Sequence, residues 1–109
     1  MGSRSKKKNE PEALRIDGEL TIFRAAELQP LLFADPAPTR IDLSGVTEFD
    51  TAGLQLLMVA HQTAHAAQRS LQLLAPSAAV CEVLELLNVT DFFGDALMPR
   101  ASGALTARP

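Results

Sequence analysis

Leu14, Ile16 and Leu20 alternate with Arg15, Asp17 and Glu19. That period of two is the mark of a strand with one buried face, and Gly18 inside it predicts a bend or bulge. Thr21 then reads as the N-cap of a first helix, because Ala25, Leu28, Leu31 and Leu32 follow at helical spacing. Pro30 predicts that this helix is kinked or divided, and Asp35-Pro36-Ala37-Pro38 predicts an extended connector. Ile41 and Leu43 return to the strand pattern over residues 39–43, the expected central strand. Ser44-Gly45 predicts a turn at its end, and residues 46–49 carry the chain to a second helix. Leu54, Leu57, Met58 and His61 share one face of that helix, expected over residues 51–68. Residues 71–74 read as a strand. Ser77 caps a third helix reaching about Leu87, with Val80, Val83, Leu84 and Leu87 as its apolar face and Asn88 as its stop. Phe92-Phe93-Gly94 is expected to close against the body.

Strands alternating with helices predict a single α/β domain, and a chain of 109 residues has room for one. Its expected limits are residues 13–98, between a flexible basic leader (residues 1–12) and a flexible C-terminal tail (residues 99–109). Trp and Tyr are absent, so Leu, Ile, Val and Ala must form most of the core. No apolar run approaches the ~18 residues needed to cross a bilayer, and the polar, basic N-terminus lacks the apolar stretch of a signal peptide. Met1-Gly2 suggests myristoylation, but Lys6 stands where that motif needs Ser or Thr. With Cys81 as the lone cysteine, the expectation is a soluble, cytoplasmic protein without disulfides. The formal net charge of -3 is unevenly spread: Arg4, Lys6, Lys7 and Lys8 are opposed in the first ten residues only by Glu10, which leaves -6 on the rest. An acidic body repels phosphate backbones, so nucleic-acid binding by the folded part is not expected.

Asp50-Thr51-Ala52-Gly53 sits where strand gives way to helix. Asp50 is the candidate N-cap and Thr51 falls in the first turn, where the helix dipole favours negative charge. A hydroxyl held there is a good place to add or remove a phosphate, although a threonine at a helix start also commonly bonds the local backbone. His61 and His65 have the i, i+4 spacing that lets two imidazoles share a metal. No third ligand stands nearby and Gln62 occupies the place of the metalloprotease glutamate, so packing is the better reading of the pair and no metal is expected. Cys81 beside Val80 and Val83 reads as a packing thiol. With no phosphate loop, GxSxG or cysteine-rich pattern, neither a cofactor nor independent catalysis is predicted.

Asp42-Leu43-Ser44-Gly45-Val46 followed by Asp50-Thr51-Ala52-Gly53-Leu54 resembles the signature of STAS domains, the family of bacterial anti-anti-sigma factors. The resemblance extends to Gly18-Glu19-Leu20 upstream and to Ala75-Pro76-Ser77 with Val80, Val83 and Leu84 downstream, covering about residues 14–94. It implies a four- or five-stranded mixed sheet with an antiparallel edge and helices mostly on one face. It also implies an anti-sigma factor antagonist, a regulatory binding module switched by phosphorylation of Thr51. Asp50 would orient the acceptor hydroxyl, and Ala52, Gly53, Leu54, Gly18, Glu19 and Thr21 would join it in the partner surface, with Gly53 leaving room for the partner. The implied partner is a kinase-type anti-sigma factor or related histidine-kinase-like (GHKL-type) regulator, with a phosphatase to reverse the mark. A monomer or weak dimer is expected. Ala52 replaces a common second serine and leaves Thr51 as the sole acceptor, while Thr21 stands where many members have Asp. Other STAS relatives are constitutive subunits of phospholipid-transport ABC complexes or accompany chemotaxis kinases, and Asp-Thr-Ala-Gly is compatible with these too.

Overall fold

The computed structural model describes residues 13–98; the expected leader and tail lie outside the described residues. β1 (Ala13–Leu20) leads to α1 (Ala25–Leu32), β2 (Arg40–Phe49), α2 (Thr51–Ala66), β3 (Gln72–Leu74) and α3 (Ala78–Leu86). The single turn α4 (Thr90–Phe93) and a 3-10 turn (Gly94–Ala96) then bring the chain to β4 (Leu97–Met98). The four strands lie side by side in chain order, and every neighbouring pair is parallel.

This is the expected α/β domain with a four-stranded sheet, with one correction. The sheet is not mixed: among the described residues it has no antiparallel edge. Each pair of consecutive strands is joined through helix, and such a crossover returns the chain to the starting edge before the next strand begins.

The helices cover one face, as expected. Ile16, Ile41, Leu43 and Leu73 are buried on it, against Leu28 and Leu32 of α1, Leu54 and Leu57 of α2, Val80 and Leu84 of α3, and Phe93 of α4. The other face is polar and open. There Arg15 donates to Asp17 Oδ1 (2.8 Å), Asp42 Oδ2 (3.3 Å) and Ser44 Oγ (3.2 Å), and the Ser44 hydroxyl donates to Asp42 Oδ1 (2.7 Å).

That network explains a second correction. No turn interrupts β2 at Ser44-Gly45; the strand runs on to Phe49. Gly45 pairs with Asp17, and a Cβ on it would run into the Asp17 carboxylate and the Arg15 guanidinium. The glycine gives clearance inside a strand rather than ending it.

Helix boundaries follow local chemistry. Pro30 lies on the exposed side of α1 and the helix passes it without a break. Leu31 and Leu87, expected in apolar faces, are exposed. Both α2 and α3 stop at a left-handed residue, Gln68 (φ 59) and Asn88 (φ 56). In each, the next amide reaches back to a helix carbonyl, Arg69 N to Ala64 O (2.8 Å) and Val89 N to Leu84 O (3.0 Å). These are Schellman closures, so α2 ends two residues before the expected 68. β4 was not predicted from the sequence.

Candidate functional site

β2 and β1 end together, with Phe49 paired to Leu20, so the segments after them meet at the upper edge of the sheet. Asp50 joins the two. Its Oδ1 accepts the Gly53 N–H (2.9 Å), capping α2, and its Oδ2 accepts the Ile22 N–H (3.1 Å) from the turn after β1. Burial pushes the Asp50 carboxyl up, but N–H bonds from Gly53, Ile22 and Ala52 outweigh it and hold the group below its ordinary range. The predicted cap is therefore present, but with both oxygens engaged by backbone amides Asp50 makes no hydrogen bond to Thr51. In this structure it shapes the junction.

Removing this carboxylate has a definite expected result. Asp50→Ala leaves the first turn of α2 uncapped and the Ile22 N–H without its acceptor, and should lower stability by about 1–2 kcal/mol. Asp50→Asn, whose amide oxygen still accepts, should lose less; urea unfolding of the three proteins measures both. Because the folded carboxyl titrates below the unfolded one, its contribution is complete above the unfolded value of ~3.9. It is lost as pH falls through the folded value, so the wild-type advantage over Asp50→Ala should be flat near neutrality and vanish in acid.

Thr51 is exposed at the first position of α2, and no described group hydrogen-bonds its hydroxyl. The first turn of α2 contains no acidic residue, so the positive end of the dipole carries no countercharge beyond Asp50. Ala52 is half-buried beside it, while Gly53 and Leu54 are buried. A Cβ on Gly53 would run into the Leu20 carbonyl. The space that this glycine leaves is filled by β1 of the same chain, not by a partner. Leu54, 5% exposed, is a core residue.

The β1 end also departs from expectation. Thr21 is buried and caps no helix. Its hydroxyl donates to Glu19 Oε1 (2.9 Å) and accepts from Phe23 N (3.2 Å), which fixes a tight turn before α1. The N-cap position belongs to Arg24, which instead donates to the Asp17 and Glu19 carbonyls (2.6 and 3.0 Å) and pairs with Glu27 (3.0 Å). Gly18, at φ +84, makes the bulge that turns those carbonyls toward Arg24. Gly18 and Glu19 are half-buried. These residues hold out two that the sequence reading passed over, Ile22 (61% exposed) and Phe23 (86% exposed). Their signal was a pair of large apolar residues out of helical phase with Leu28 and Leu32. The Asp50–Ile22 bond ties this turn to the start of α2, where Thr51 and Ala52 lie.

The family profile described as "Mlab, STAS domain" matches residues 3–99. The chain belongs to the STAS domain family. A crystal structure of a sulfate transporter family protein from Wolinella succinogenes is similar to it, with a TM-score of 0.67 over 87% of this chain and 81% of that one. Sequence identity is 18%, so the likeness is one of fold. No curated protein matches significantly.

Elsewhere in this STAS domain, His61 packs edge-on against Phe92 and Phe93, ring centroids 5.5 and 5.4 Å away, and burial followed by the His65 charge lowers its pKa. Among the described residues no group of three or more His, Cys, Asp or Glu side chains is placed to hold a metal. Cys81 is half-buried, its thiol pushed up by burial and by Glu85. No described helix is long and apolar enough to cross a membrane.

Proposed function

We propose that this STAS domain is an anti-sigma factor antagonist-like binding module. In this reading it docks on a kinase-type regulator through Ile22, Phe23, Thr51 and Ala52 and is released when Thr51 is phosphorylated. The observation that carries the reading is the Thr51 hydroxyl, exposed and without an intramolecular bond at a helix N-terminus, next to the Asp50 carboxylate that holds the Ile22 amide. Such a hydroxyl is accessible to a kinase. The kinase would supply ATP and the general base; the γ-phosphoryl group passes to Thr51 Oγ1 and ADP leaves. The product places up to two negative charges in that contact, beside the Asp50 carboxylate. Repulsion and desolvation then oppose docking wherever the partner offers no compensating Arg or Lys.

A second reading is a constitutive subunit bracing a transport ATPase. It would use the same surface with Thr51 unmodified. The two readings separate in one experiment. The full chain is incubated with the histidine-kinase-like regulator encoded nearest its gene, with Mg²⁺ and ATP, and intact mass is followed. The switch predicts one added phosphoryl group, mapped to Thr51 and absent from Thr51→Ala. No added mass, with binding that ATP leaves unchanged, would instead support the constitutive subunit.

A further inference from the structure

At the lower edge of the sheet, opposite Thr51, the connectors entering β2 and β3 run side by side, with Gln72 N donating to Thr39 O (2.9 Å). Beneath them lies a cavity of about 110 Å³ walled largely by Leu32, Phe33, Ile41, Ala60 and Leu71, with Thr63 and Arg69 also in its lining. Arg69 also lines an adjoining open cleft with Thr39, Arg40, Ser70 and Gln72. Arg15 and Arg24 are held in ion pairs. The Arg69 side chain makes no ion pair or hydrogen bond among the described residues; Asp95 lines a second neighbouring cleft with it without pairing.

A cavity with a mainly apolar wall, adjoining a hydroxyl-bearing cleft with Arg69 at the join, is complementary to a ligand apolar at one end and anionic at the other. A dry cavity of ~150 Å³ accommodates benzene, so this smaller one suits a chain of about four carbons. A guanidinium at the mouth presents a fork of donors matched to carboxylate or phosphate oxygens.

We propose that this cavity and cleft form a binding site for a small amphipathic oxyanion, a chain of about four carbons in the cavity carrying a carboxylate or phosphate head on Arg69. The site is independent of the Thr51 reading and lies at the other end of β2.

The test is an NMR titration of the isotopically labelled full chain with sodium butyrate, acetate, propyl phosphate and the neutral isostere butyramide. Butyrate should shift the methyl signals of Leu32, Ile41 and Leu71 saturably. Acetate, two methylenes shorter, should bind about tenfold more weakly. Arg69→Gln alters an exposed side chain and should leave the spectrum folded, while removing the preference for butyrate over butyramide. With three-carbon tails on both, tighter binding of propyl phosphate than of butyrate would assign the head group as phosphate, and the reverse as carboxylate; either supports the site. Absence of saturable shifts at those methyls, or an unchanged preference in Arg69→Gln, would overturn it.

Discussion

Gly53→Ala is expected to lower the stability of this domain by about 2 kcal/mol, although the same change in an exposed helix would raise it by up to ~1 kcal/mol. The sign is decided by space. The added methyl would overlap the Leu20 carbonyl oxygen and crowd its carbon and side chain, and backbone cannot swing aside as a flexible side chain can. The N-terminus of α2 must move off β1, which strains the Asp50 bonds to Gly53 and Ile22 together. Overpacking of this kind costs about 1–3 kcal/mol and exceeds the gain in helix propensity. For a domain of this size the midpoint of thermal unfolding should fall by roughly 10 °C, and Gly53→Val should do worse. An unchanged or raised midpoint would mean that α2 does not approach Leu20 as described. The same variants should weaken partner docking, because the Asp50 clamp between the turn after β1 and the start of α2 depends on this approach.

Thr51→Glu should separate binding from folding. The position is exposed and the hydroxyl makes no intramolecular bond, so loss of the hydroxyl should change stability by less than ~0.5 kcal/mol in Thr51→Ala. A carboxylate in an otherwise acid-free first turn is favoured by the helix dipole by roughly 0.3–1 kcal/mol. Binding should respond in the opposite sense. A charge buried in a docked interface without a partner loses about 2–5 kcal/mol, so the affinity of Thr51→Glu for the kinase-like regulator should fall by at least about thirtyfold. Thr51→Ala should bind as the unmodified protein does. Phe23→Ala removes an exposed aromatic anchor and should also bind weakly, by about thirtyfold if it is a hot spot, with no new charge. Reduced binding that high salt does not restore would mark the Phe23 contribution as apolar.

Local pattern and long-range geometry were not equally readable from the residues. Ile41 and Leu43, Leu54 and Leu57, and Val80 and Leu84 declared their buried faces by spacing alone, and all are buried. Asp50, Ser77 and Asn88 declared two helix starts and one stop, because capping chemistry is local. Thr21 misled because a hydroxyl that caps a helix serves equally well in a turn, and only the Glu19 and Phe23 contacts separate the two. Gly45 misled for a related reason: a glycine needed for clearance under a cross-strand ion pair looks the same in sequence as one that ends a strand. Whether Gly53 made room for a partner or for Leu20 depended on two segments more than thirty residues apart. The two-residue β4 is likewise set by tertiary contact, not by any local signal. The motif segments around Gly18 and Asp50 were found in sequence. That the turn carrying Ile22 and Phe23 is tied to the start of α2 emerged only from the fold.

The most direct measurement is a titration of the purified kinase-like regulator against the full chain in two forms, unmodified and stoichiometrically phosphorylated on Thr51, with thermal unfolding run on both. A phosphate carries nearly twice the charge of a carboxylate at neutral pH. The phosphorylated form should therefore bind at least about a hundredfold more weakly while unfolding at the same temperature or slightly higher. Equal affinity for the two forms, with both folded, would contradict the switch and leave the exposed hydroxyl of Thr51 as a bystander on a constitutive interface.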